Sequence, residues 1–534
     1  MYDAVIVGAG FAGLYMLHKL RGLGLRARVF EAAGDVGGVW YWNRYPGARC
    51  DVESLQYSYS FSEELQQDWA WSERFAGQAE ILAYIQHVAD RFDLRRDIQF
   101  GTRVEAMAFD EAANLWEVRT DKGDVVRAQF CVMASGVLSA ARVPAFPGLK
   151  SFAGRAFHTG TWPHKPVEFS GRRVALIGTG SSGVQATPVI AAAAEHLTVF
   201  QRTPNFVIPA RNHPLDPEKQ RVWKQNYAAH RTLAREIGSF YEFSDRRALD
   251  VPDAERHDEY DRRWTQGGVN FVHSFKDIYL DKAANDTAAE FVRARIRDLV
   301  IDPAVADVLS PTDHPLGTKR ICVGSQYYES FNRANVELVD VRAEPIEAIT
   351  PTGVQTSASH YEVDTIVFAT GYDAMTGALT QIDIRGRSGI ALKDKWAHGA
   401  RNYLGLMTAG FPNMFIITGP GSPSVLVNMV VAIEQHVEWI ARCILAMRAR
   451  GAALIDADAD AENAWVAHVN AEADLTLFPQ ANSWYVGANI PGKPRVFLPY
   501  VGGIGRYRRR CDEVAARGYE GFCMSGPDAR EASA

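Results

Sequence analysis

The sequence has no Cys-x-x-Cys pair, no block of basic residues and no apolar run of membrane-spanning length. Its six cysteines are scattered over 534 residues, which favours reduced thiols over a zinc site or a dithiol centre. Charges of both signs are interspersed, with a net charge of -6, so neither nucleic acid nor a membrane surface is expected as a partner. The longest apolar run, 425–433, is interrupted by Asn428 and is far shorter than the ~20 residues of a spanning helix. We therefore expect a cytoplasmic protein.

Sequence motifs for metal or nucleophile chemistry are also missing. Neither H-E-x-x-H nor G-x-S-x-G occurs, and His and Cys do not cluster, so no metal site is predicted. The first apolar strand begins at Ala4 without a basic leader, so no signal peptide is expected. With 47% hydrophobic residues, a chain of this length is too long for a single core and indicates two or three domains.

A glycine loop directly follows the first apolar strand. The strand 3–7 leads into Gly8-Ala9-Gly10-Phe11-Ala12-Gly13, and a helix over 14–20 comes next. In such a unit the glycines form the tight turn, let backbone N–H groups approach a pyrophosphate, and pack the helix on the strand. The next strand, 27–30, ends in Glu31, where an acid accepts hydrogen bonds from a ribose 2′-hydroxyl. The chain is thus predicted to begin with a dinucleotide-binding unit.

The same pattern returns near the middle of the chain with a different charge at its end. The strand 173–177 leads into Gly178-Thr179-Gly180-Ser181-Ser182-Gly183, and the next strand, 197–200, ends in Gln201-Arg202-Thr203. A guanidinium can hold a 2′-phosphate through two hydrogen bonds, whereas an acid repels it. We therefore predict FAD or NAD at the first loop and NADP at the second.

An aromatic and glycine-rich stretch, residues 34–51, follows the first unit without a helical or strand period. It contains Gly38, Trp40 and Asp51. One interpretation is an aromatic loop packed in the core. The other is a lining for a planar ring system, which the position just after a dinucleotide loop favours.

Together the patterns predict an α/β protein with two Rossmann-like dinucleotide-binding domains, for FAD and NADP. A helical insertion is expected in the second domain at about 213–316, where no strand period is present. The chain after 375 lacks a glycine loop of its own and is expected to complete the first domain. The predicted boundaries are 1–140 plus 376–534 for the FAD-binding domain and 141–375 for the NADP-binding domain. After Phe522 the composition is small and polar, as in a frayed tail.

Residues 152–163 connect the two units and are interpreted as a joint between the cofactor sites, not as another fold element. Their pattern, Phe152-x-Gly154-x-x-x-His158-x-x-x-Trp162-Pro163, closely resembles the fingerprint of the type I Baeyer–Villiger monooxygenases, which are class B flavoprotein monooxygenases. The resemblance covers nearly the whole chain, including 37–51, 317–320 and 364–373, and is greatest to the phenylacetone and steroid monooxygenase branch.

This resemblance implies NADPH- and O2-dependent oxidation of a ketone to an ester or lactone. In the family, NADPH reduces FAD, O2 adds to give a C4a-peroxyflavin, and the peroxide attacks the ketone carbonyl. One oxygen atom is inserted and the other leaves as water. The negatively charged oxygens need a fixed cation, which a guanidinium supplies. By resemblance the catalytic residues are Arg320 and Asp51, with Asp51 orienting the Arg320 side chain.

The resemblance implies further roles. Lys319 joins Arg202 on the 2′-phosphate, Trp484 lies on a mobile loop that closes over NADP, and His158 couples the domains without transferring a proton. The expected substrate pocket is roomy and apolar, with Val52, Val137, Leu138, Ser424, Val425, Leu426 and Met429 as candidates. The full set of expected cofactor-binding residues is Gly8, Gly10, Gly13, Glu31, Gly38, Trp40, Asp51, Gly178, Gly180, Ser181, Ser182, Gly183, Arg202, Thr203, Lys319, Arg320 and Trp484.

Two other functions share parts of the pattern. A flavin-dependent monooxygenase of amine or sulfide heteroatoms would have both glycine loops, but Trp162-Pro163 and Arg320 argue against it. A flavin- and NADP-binding redox sensor without turnover would be expected to lack Arg320 or Asp51, and both are present. The sequence does not determine which ketone is the substrate. We expect a monomer or a weak homo-oligomer.

Overall fold

A computed structural model describes residues 1–526 of the chain. The frayed tail predicted after Phe522 is wrong for its first residues, because Phe522–Ser525 form a strand that pairs antiparallel with Leu454–Ala457. The rest of that predicted tail, 527–534, lies outside the described residues. No helix in the described part of the chain is long and apolar enough to cross a membrane.

The described residues form twenty β-strands. In chain order they are β1 (Tyr2–Val7), β2 (Ala27–Phe30), β3 (Ile98–Gln99), β4 (Val104–Asp110), β5 (Leu115–Thr120), β6 (Val125–Met133), β7 (Arg155–His158), β8 (Arg173–Ile177), β9 (His196–Gln201), β10 (Val207–Pro209), β11 (Cys322–Gly324), β12 (Val336–Asp340), β13 (Ile346–Thr350), β14 (Gly353–Thr356), β15 (His360–Glu362), β16 (Thr365–Phe368), β17 (Asp383–Arg385), β18 (Met414–Ile416), β19 (Leu454–Ala457) and β20 (Phe522–Ser525).

Sixteen α-helices occur in the same residues. They are α1 (Phe11–Gly22), α2 (Val39–Trp42), α3 (Glu63–Asp68), α4 (Gln78–Arg91), α5 (Ser181–Ala193), α6 (Pro217–Gln225), α7 (Tyr227–Ile237), α8 (Asp253–Gln266), α9 (Lys282–Leu299), α10 (Pro303–Leu309), α11 (Tyr327–Ser330), α12 (Gly377–Thr380), α13 (Leu392–Lys395), α14 (Met429–Ala449), α15 (Ala459–Asp474) and α16 (Ile504–Ala516).

The first large sheet is built around β1, and its strand order is β17-β4-β5-β6-β1-β2-β3. Strand β1 pairs parallel with β2 and β6, and its last four residues are buried, as its continuous apolar sequence predicts. Strand β18, from late in the chain, pairs with the end of β6. In this register Val7, Met133 and Ile416 are level with one another, so three strands end at the edge that carries the first glycine loop.

The second large sheet is parallel throughout and has the order β12-β9-β8-β16-β7. Its edge strand β7 corrects one prediction: the segment 152–163 is not only a joint, because Arg155–His158 extend this sheet. Residues Ile177, Phe200, Phe368 and His158 are level, so the second glycine loop and His158 lie at the same edge. In parallel sheets ligands bind outside the carboxyl ends of the strands.

The helical insertion predicted at about 213–316 contains α6 to α10 and no strand. It is flanked by β10 and β11, which pair with each other. Its first part contacts the other half of the molecule: Arg231 of α7 donates to Gln66 and Ser58, and Glu236 accepts from Arg509 of α16. The insertion therefore touches both large-sheet regions and is not confined to the second.

Candidate active site

Two glycines of the first loop, Gly8 and Gly13, leave no room for a side chain. Gly8 has a φ of +104°, and a Cβ on Gly13 would stand 1.8 Å from the Gly8 carbonyl oxygen. Gly10 precedes α1, and a Cβ there would come within 3.3 Å of the Gly38 Cα. The loop and the start of residues 34–51 thus approach each other backbone to backbone, which leaves the amino end of α1 open to an anion.

Glu31 holds this loop in shape. Its carboxylate accepts from the Ala9 N–H at 2.6 Å and from the Ala33 N–H at 2.7 Å, and the residue is 5% exposed. Burial raises the pKa of Glu31, whereas these two backbone hydrogen bonds act to lower it. Because each carboxylate oxygen has a further lone pair, the group can still accept from a ribose hydroxyl.

Residues 40–51 lie between the two glycine-loop units. The Tyr45 hydroxyl donates to Gln185 of α5 at 2.8 Å, and the Gln185 amide donates to the Arg49 carbonyl at 3.1 Å. Trp40 donates its indole N–H to the Tyr57 hydroxyl at 3.2 Å. Trp42 accepts from the Trp162 N–H of the fingerprint segment. This stretch therefore contacts the second unit as well as the first, a placement that its sequence did not predict.

The first and third glycines of the second loop repeat the geometry of the first loop, whereas a Cβ on Gly180 would meet nothing within 4 Å. Gly178 has a φ of +113°, and a Cβ on Gly183 would stand 2.1 Å from the Gly178 carbonyl oxygen. Gly180 precedes α5, whose first residues are Ser181 and Ser182. Ser181 Oγ lies 3.5 Å from Cys322 Sγ, so the strand that follows Arg320 borders this loop.

Two cations meet beyond the end of β9. Arg202 is exposed, and no ion pair of it is found among residues 1–526, while the Thr203 carbonyl accepts from Thr179 at 2.9 Å. Burial lowers the pKa of Lys319, the carboxylate of Asp313 acts to raise it, and the positive charges of Arg202 and Arg342 lower it. Lys319 and Arg202 are therefore in each other's electrostatic surroundings, with Asp313 also near Lys319, and a bound dianion would attract both cations.

Arg320 and Asp51 form a two-point ion pair. Arg320 Nε donates to Asp51 Oδ2 at 2.9 Å and Nη2 to Oδ1 at 2.8 Å, although the residues are 269 positions apart. Arg320 Nη1 donates to the Val425 carbonyl at 2.8 Å. Each of the three nitrogen atoms of the planar Arg320 guanidinium thus donates a hydrogen bond that fixes its orientation.

The charge of Arg320 is secured by its neighbours. Burial by itself lowers the pKa of Arg320, but Asp51 and the phenols of Tyr485 and Tyr241 outweigh burial and raise the pKa above its ordinary value. Sequence reasoning missed both tyrosines. Tyr485 is adjacent to the predicted Trp484, but Tyr241 lies in the helical insertion, where no local signal distinguished it.

Six of the seven predicted pocket residues belong to the large hydrophobic core that includes β1 and α14, or pack against it. Val52, Val137 and Val425 are buried in it, and Leu138, Leu426 and Met429 pack against it. Ser424 is fully buried, and its hydroxyl faces the sulfur atoms of Met375 and Met429 at 3.8 and 3.9 Å. Since Val425 also accepts from Arg320, this cluster borders the Arg320–Asp51 pair.

His158 is buried and joins two crossing segments. Its Nδ1 accepts from the Gly160 N–H at 2.9 Å, so Nε2 carries the proton and donates to the Arg142 carbonyl at 3.1 Å. Burial lowers the pKa of His158. Arg142 belongs to a ribbon in which 137–142 pairs with 371–375, for example through Arg142 N–H to Gly371 O at 3.0 Å.

Residues 484–495, the cover segment, are attached to the same ribbon. Lys493 Nζ donates to Asp373 at 2.5 Å, Asn489 donates to the Tyr372 carbonyl at 2.8 Å, and Arg142 donates to the Asn489 carbonyl. Trp484 begins a 3₁₀ turn with its ring 4.3 Å from that of Tyr485. The cover segment therefore runs from the ribbon to the neighbourhood of Arg320.

The chain is similar to known monooxygenases over nearly its whole length. The family model described as flavin-binding monooxygenase-like matches residues 3–233. A Baeyer–Villiger monooxygenase of Pseudooceanicola batsensis is 44% identical over 97% of this chain and 95% of its own length. A phenazine N-monooxygenase of Lysobacter antibioticus is 42% identical over 98% and 97%.

A solved structure gives the same result for the fold. The oxidized steroid monooxygenase bound to NADP superposes with a TM-score of 0.94 and 54% sequence identity, and covers 98% of this chain and 99% of that chain. This identity is higher than the 44% with the Pseudooceanicola enzyme, in agreement with the branch that the sequence resembles. The chain belongs to the Baeyer–Villiger monooxygenases, a family of flavin-binding monooxygenases.

Proposed function

We propose that this protein uses NADPH and O2 to oxidise ketones to esters or lactones, with one oxygen atom inserted and the other released as water. The observation that carries the proposal is the Arg320–Asp51 pair, held by three hydrogen bonds beside an apolar cluster and next to the second glycine loop. Its test is the conversion of an aryl ketone to its ester with matching consumption of NADPH and O2.

The first loop fits the pyrophosphate and ribose of FAD. A Cβ on any of its three glycines would meet backbone atoms, and Glu31 offers a fixed carboxylate beside the loop. The family model is flavin-binding, and a dinucleotide loop requires the dinucleotide form of the flavin. Bound FAD supplies the redox and oxygen-activating chemistry. The residues we assign to it are Gly8, Gly10, Gly13, Glu31, Gly38, Trp40 and Asp51.

The second loop fits NADP. Gly178 and Gly183 leave as little room for a side chain as Gly8 and Gly13 do, and Arg202 stands where the first unit has an acid. The solved steroid monooxygenase contains NADP. The residues we assign to this cofactor are Gly178, Gly180, Ser181, Ser182, Gly183, Arg202, Thr203, Lys319 and Trp484.

Arg202→Ala is expected to raise the KM for NADPH by about tenfold to a hundredfold, the value of charge-assisted hydrogen bonds to a phosphate. NADH has no 2′-phosphate, so its KM should change little. Steady-state flavin reduction with each coenzyme measures both effects. An equal loss with NADPH and NADH would rule out the phosphate contact.

Arg320 is proposed to stabilise negative charge on the reacting oxygens. Asp51 orients the guanidinium by its two-point contact, and the Val425 carbonyl fixes the third nitrogen. Because its pKa is raised, the group stays charged and does not act as a proton donor. A preorganised cation in a site that excludes water is worth more than the same cation in water.

The cover segment is proposed to exclude water while oxygen is transferred. Trp484 would lie over the NADP, and the Lys493–Asp373 and Asn489–Tyr372 contacts would hold the segment on the ribbon that His158 also contacts. His158 has its proton on Nε2 directed at a carbonyl, so a coupling role suits it better than proton transfer.

Lys493→Met should release the cover segment and increase the hydrogen peroxide formed per NADPH by about threefold to tenfold, since loop closure protects reactive intermediates from water. The flavin reduction rate should remain close to that of the unmodified protein. Peroxide assays with the ketone present measure the change. Lys395→Met is the control, because Lys395 forms a similar ion pair with Glu462 at 2.9 Å elsewhere.

The charge-exchanged variant Lys493→Asp/Asp373→Lys tests the same contact by rescue. If the ion pair holds the segment, this double variant should form less peroxide than either single variant. Peroxide yields that simply add would show that the pair does not act as a unit.

We propose the domain division 1–140 plus 376–534 for FAD and 141–375 for NADP. The pairing of β18 with β6 supports the return of the chain to the first sheet. The protein is proposed to act in the cytoplasm as a monomer or weak homo-oligomer. Its pocket candidates are Val52, Val137, Leu138, Ser424, Val425, Leu426 and Met429.

Oxidation of an amine or sulfide heteroatom is the second candidate function. The 42% identity with a phenazine N-monooxygenase favours it specifically. Incubating the enzyme with NADPH, O2 and either an aryl ketone or a tertiary amine separates the two. An oxygenated amine without any ester would replace the first proposal by the second.

A further inference from the structure

The side chain of Gln185 joins the helix of the second glycine loop to the segment that ends in Asp51. Gln185 is the fifth residue of α5, and Ser181 of the loop is the first. Residues four apart lie on the same face of a helix, so Gln185 follows Ser181 by one turn on a single rigid element. This face of α5 contacts the segment 45–51, whose last residue is Asp51.

The Gln185 amide contacts the backbone of Arg49 from both of its ends. Nε2 donates to the Arg49 carbonyl at 3.1 Å, and Oε1 accepts from the Arg49 N–H at 3.4 Å and from the Tyr45 hydroxyl at 2.8 Å. Because the Arg49 carbonyl can only accept, the nitrogen of the amide must face it. The orientation of the amide is therefore determined by its partners.

The backbones of α5 and this segment also approach each other closely. Gly47 has a φ of +79°, and a Cβ there would stand 2.3 Å from the Gln185 carbonyl oxygen. Position 47 thus has no room for a side chain. Since packed interiors have little free space, a shift of α5 towards the segment must displace the segment as well.

The side chain of Arg49 is fixed on the side away from α5. Its guanidinium donates to Glu73 Oε2 at 2.7 Å and to the Phe75 carbonyl at 2.6 Å. Asp51 comes two residues later and accepts two hydrogen bonds from Arg320. A short path through Gln185 and Arg49 therefore leads from the amino end of α5 to the catalytic pair.

We propose that Gln185 is a positioning residue that couples the second glycine loop to the Arg320–Asp51 pair. A pyrophosphate at the amino end of α5 fixes the first turn of the helix. Gln185 then holds Arg49 in place, and Asp51 is held in the position from which it orients Arg320. The inference rests on the proposed assignment of NADP to this loop and of Arg320 to catalysis. Gln185 acts through Arg49 and needs no contact with the coenzyme or the ketone.

Hydrogen exchange of the FAD-loaded protein, with and without NADP+, tests this coupling without turnover. In the unmodified protein NADP+ should slow amide exchange by about tenfold or more in both 181–187 and 45–51. Gln185→Met has a side chain of similar length without an amide. In this variant the protection of 181–187 should remain, and that of 45–51 should fall below about threefold.

A second variant separates the hydrogen bond from the shape of the side chain. Gln185→Glu keeps an acceptor for the Tyr45 hydroxyl but has no donor for the Arg49 carbonyl. It should lose the NADP+-dependent protection of 45–51 as Gln185→Met does.

Gln220→Met is the matched control. Gln220 contacts the backbone of Trp71 in the same two-sided way, because its Oε1 accepts from the Trp71 N–H at 2.9 Å and its Nε2 donates to the Trp71 carbonyl at 3.2 Å. Gln220→Met and Gln185→Met each lose one such contact and should lower Tm to a similar extent. Only the control should keep the NADP+-dependent protection of 45–51.

Turnover gives a further measurement. Gln185→Met should reduce its flavin with NADPH at a rate within about twofold of the unmodified rate, because hydride transfer does not use Arg320. Its kcat for ester formation should fall by about threefold to tenfold while the KM for the ketone changes little, because a displaced cation stabilises the developing charge less well. Gln220→Met should keep both values.

Two results would overturn the inference. One is protection of 45–51 by NADP+ that is the same in the unmodified protein and in both Gln185 variants. The other is protection of 181–187 without any protection of 45–51 in the unmodified protein. If NADP+ protects 45–51 through Gln185 but the unmodified enzyme forms no ester, the proposed function fails and the coupling stands. If the enzyme forms ester and the Gln185 variants match the control, the coupling fails and the proposed function stands.

Discussion

An Arg320→Ala variant is expected to reduce its flavin with NADPH while forming at least about a hundredfold less ester, the usual effect of removing a group that stabilises developing charge. Hydride transfer does not need a cation beside the reacting oxygens, whereas attack on the ketone does. The variant also leaves Asp51 without its two-point partner. NADPH consumption should then end in hydrogen peroxide. Quantifying NADPH, peroxide and ester in one reaction shows how much of the NADPH consumption is no longer coupled to ester formation.

Two further variants show that this loss is specific. Arg320→Lys keeps the charge but not the planar fork, so it should recover part of the ester yield. Arg387→Ala removes an arginine that pairs with Asp456 at 3.2 Å outside the site, and it should retain ester formation. An Arg320→Ala enzyme with an undiminished ester yield would refute the assignment of Arg320 as the catalytic cation.

A Gly13→Ala variant is expected to be purified largely without FAD. The added Cβ would stand 1.8 Å from the Gly8 carbonyl oxygen, so the turn between β1 and α1 must open and the pyrophosphate site must change shape. Severe backbone overlaps of this kind cost more than about 3 kcal/mol, which corresponds to about a hundredfold weaker binding. Flavin content after purification and FAD titration of the apoprotein measure the effect.

The same helix provides the matched control. Gly22 is the last residue of α1, and a Cβ there meets nothing within 4 Å. Gly22→Ala should therefore keep its FAD and gain up to about 1 kcal/mol in helix stability. Normal flavin content in Gly13→Ala would show that the loop tolerates a side chain and that the close contact does not shape the site.

Local sequence patterns were sufficient for both dinucleotide units. Each unit has a buried apolar strand, a loop whose first and third glycines leave no room for a side chain, and a helix, and the structure contains β1, β8, α1 and α5 where the sequence predicts them. These elements depend on neighbours in sequence: continuous apolar runs, glycine conformations and charge at the end of the next strand. The helical character of 213–316 was predicted for the same reason.

Other features depend on contacts between distant residues. Strand β7 has only four residues, with an exposed start, and becomes a strand because the edge of β16 is available to it. The segment 40–51 contacts Gln185 of α5, so it belongs to the boundary between the two units. No periodicity within either segment carries this information.

The sequence by itself determined the class of cofactors, the two nucleotide loops and the identity of the family. The family resemblance implied that Asp51 orients Arg320, but only the tertiary structure gave the two-point contact across 269 residues and the third hydrogen bond to Val425. It also added Tyr485 and Tyr241 to the surroundings of Arg320. The physical reason is the distance along the sequence over which each feature is determined. Glycine turns and strand periods are decided by adjacent residues, whereas a charged pair in a pocket exists only when packed sheets and helices bring remote side chains within hydrogen-bond distance.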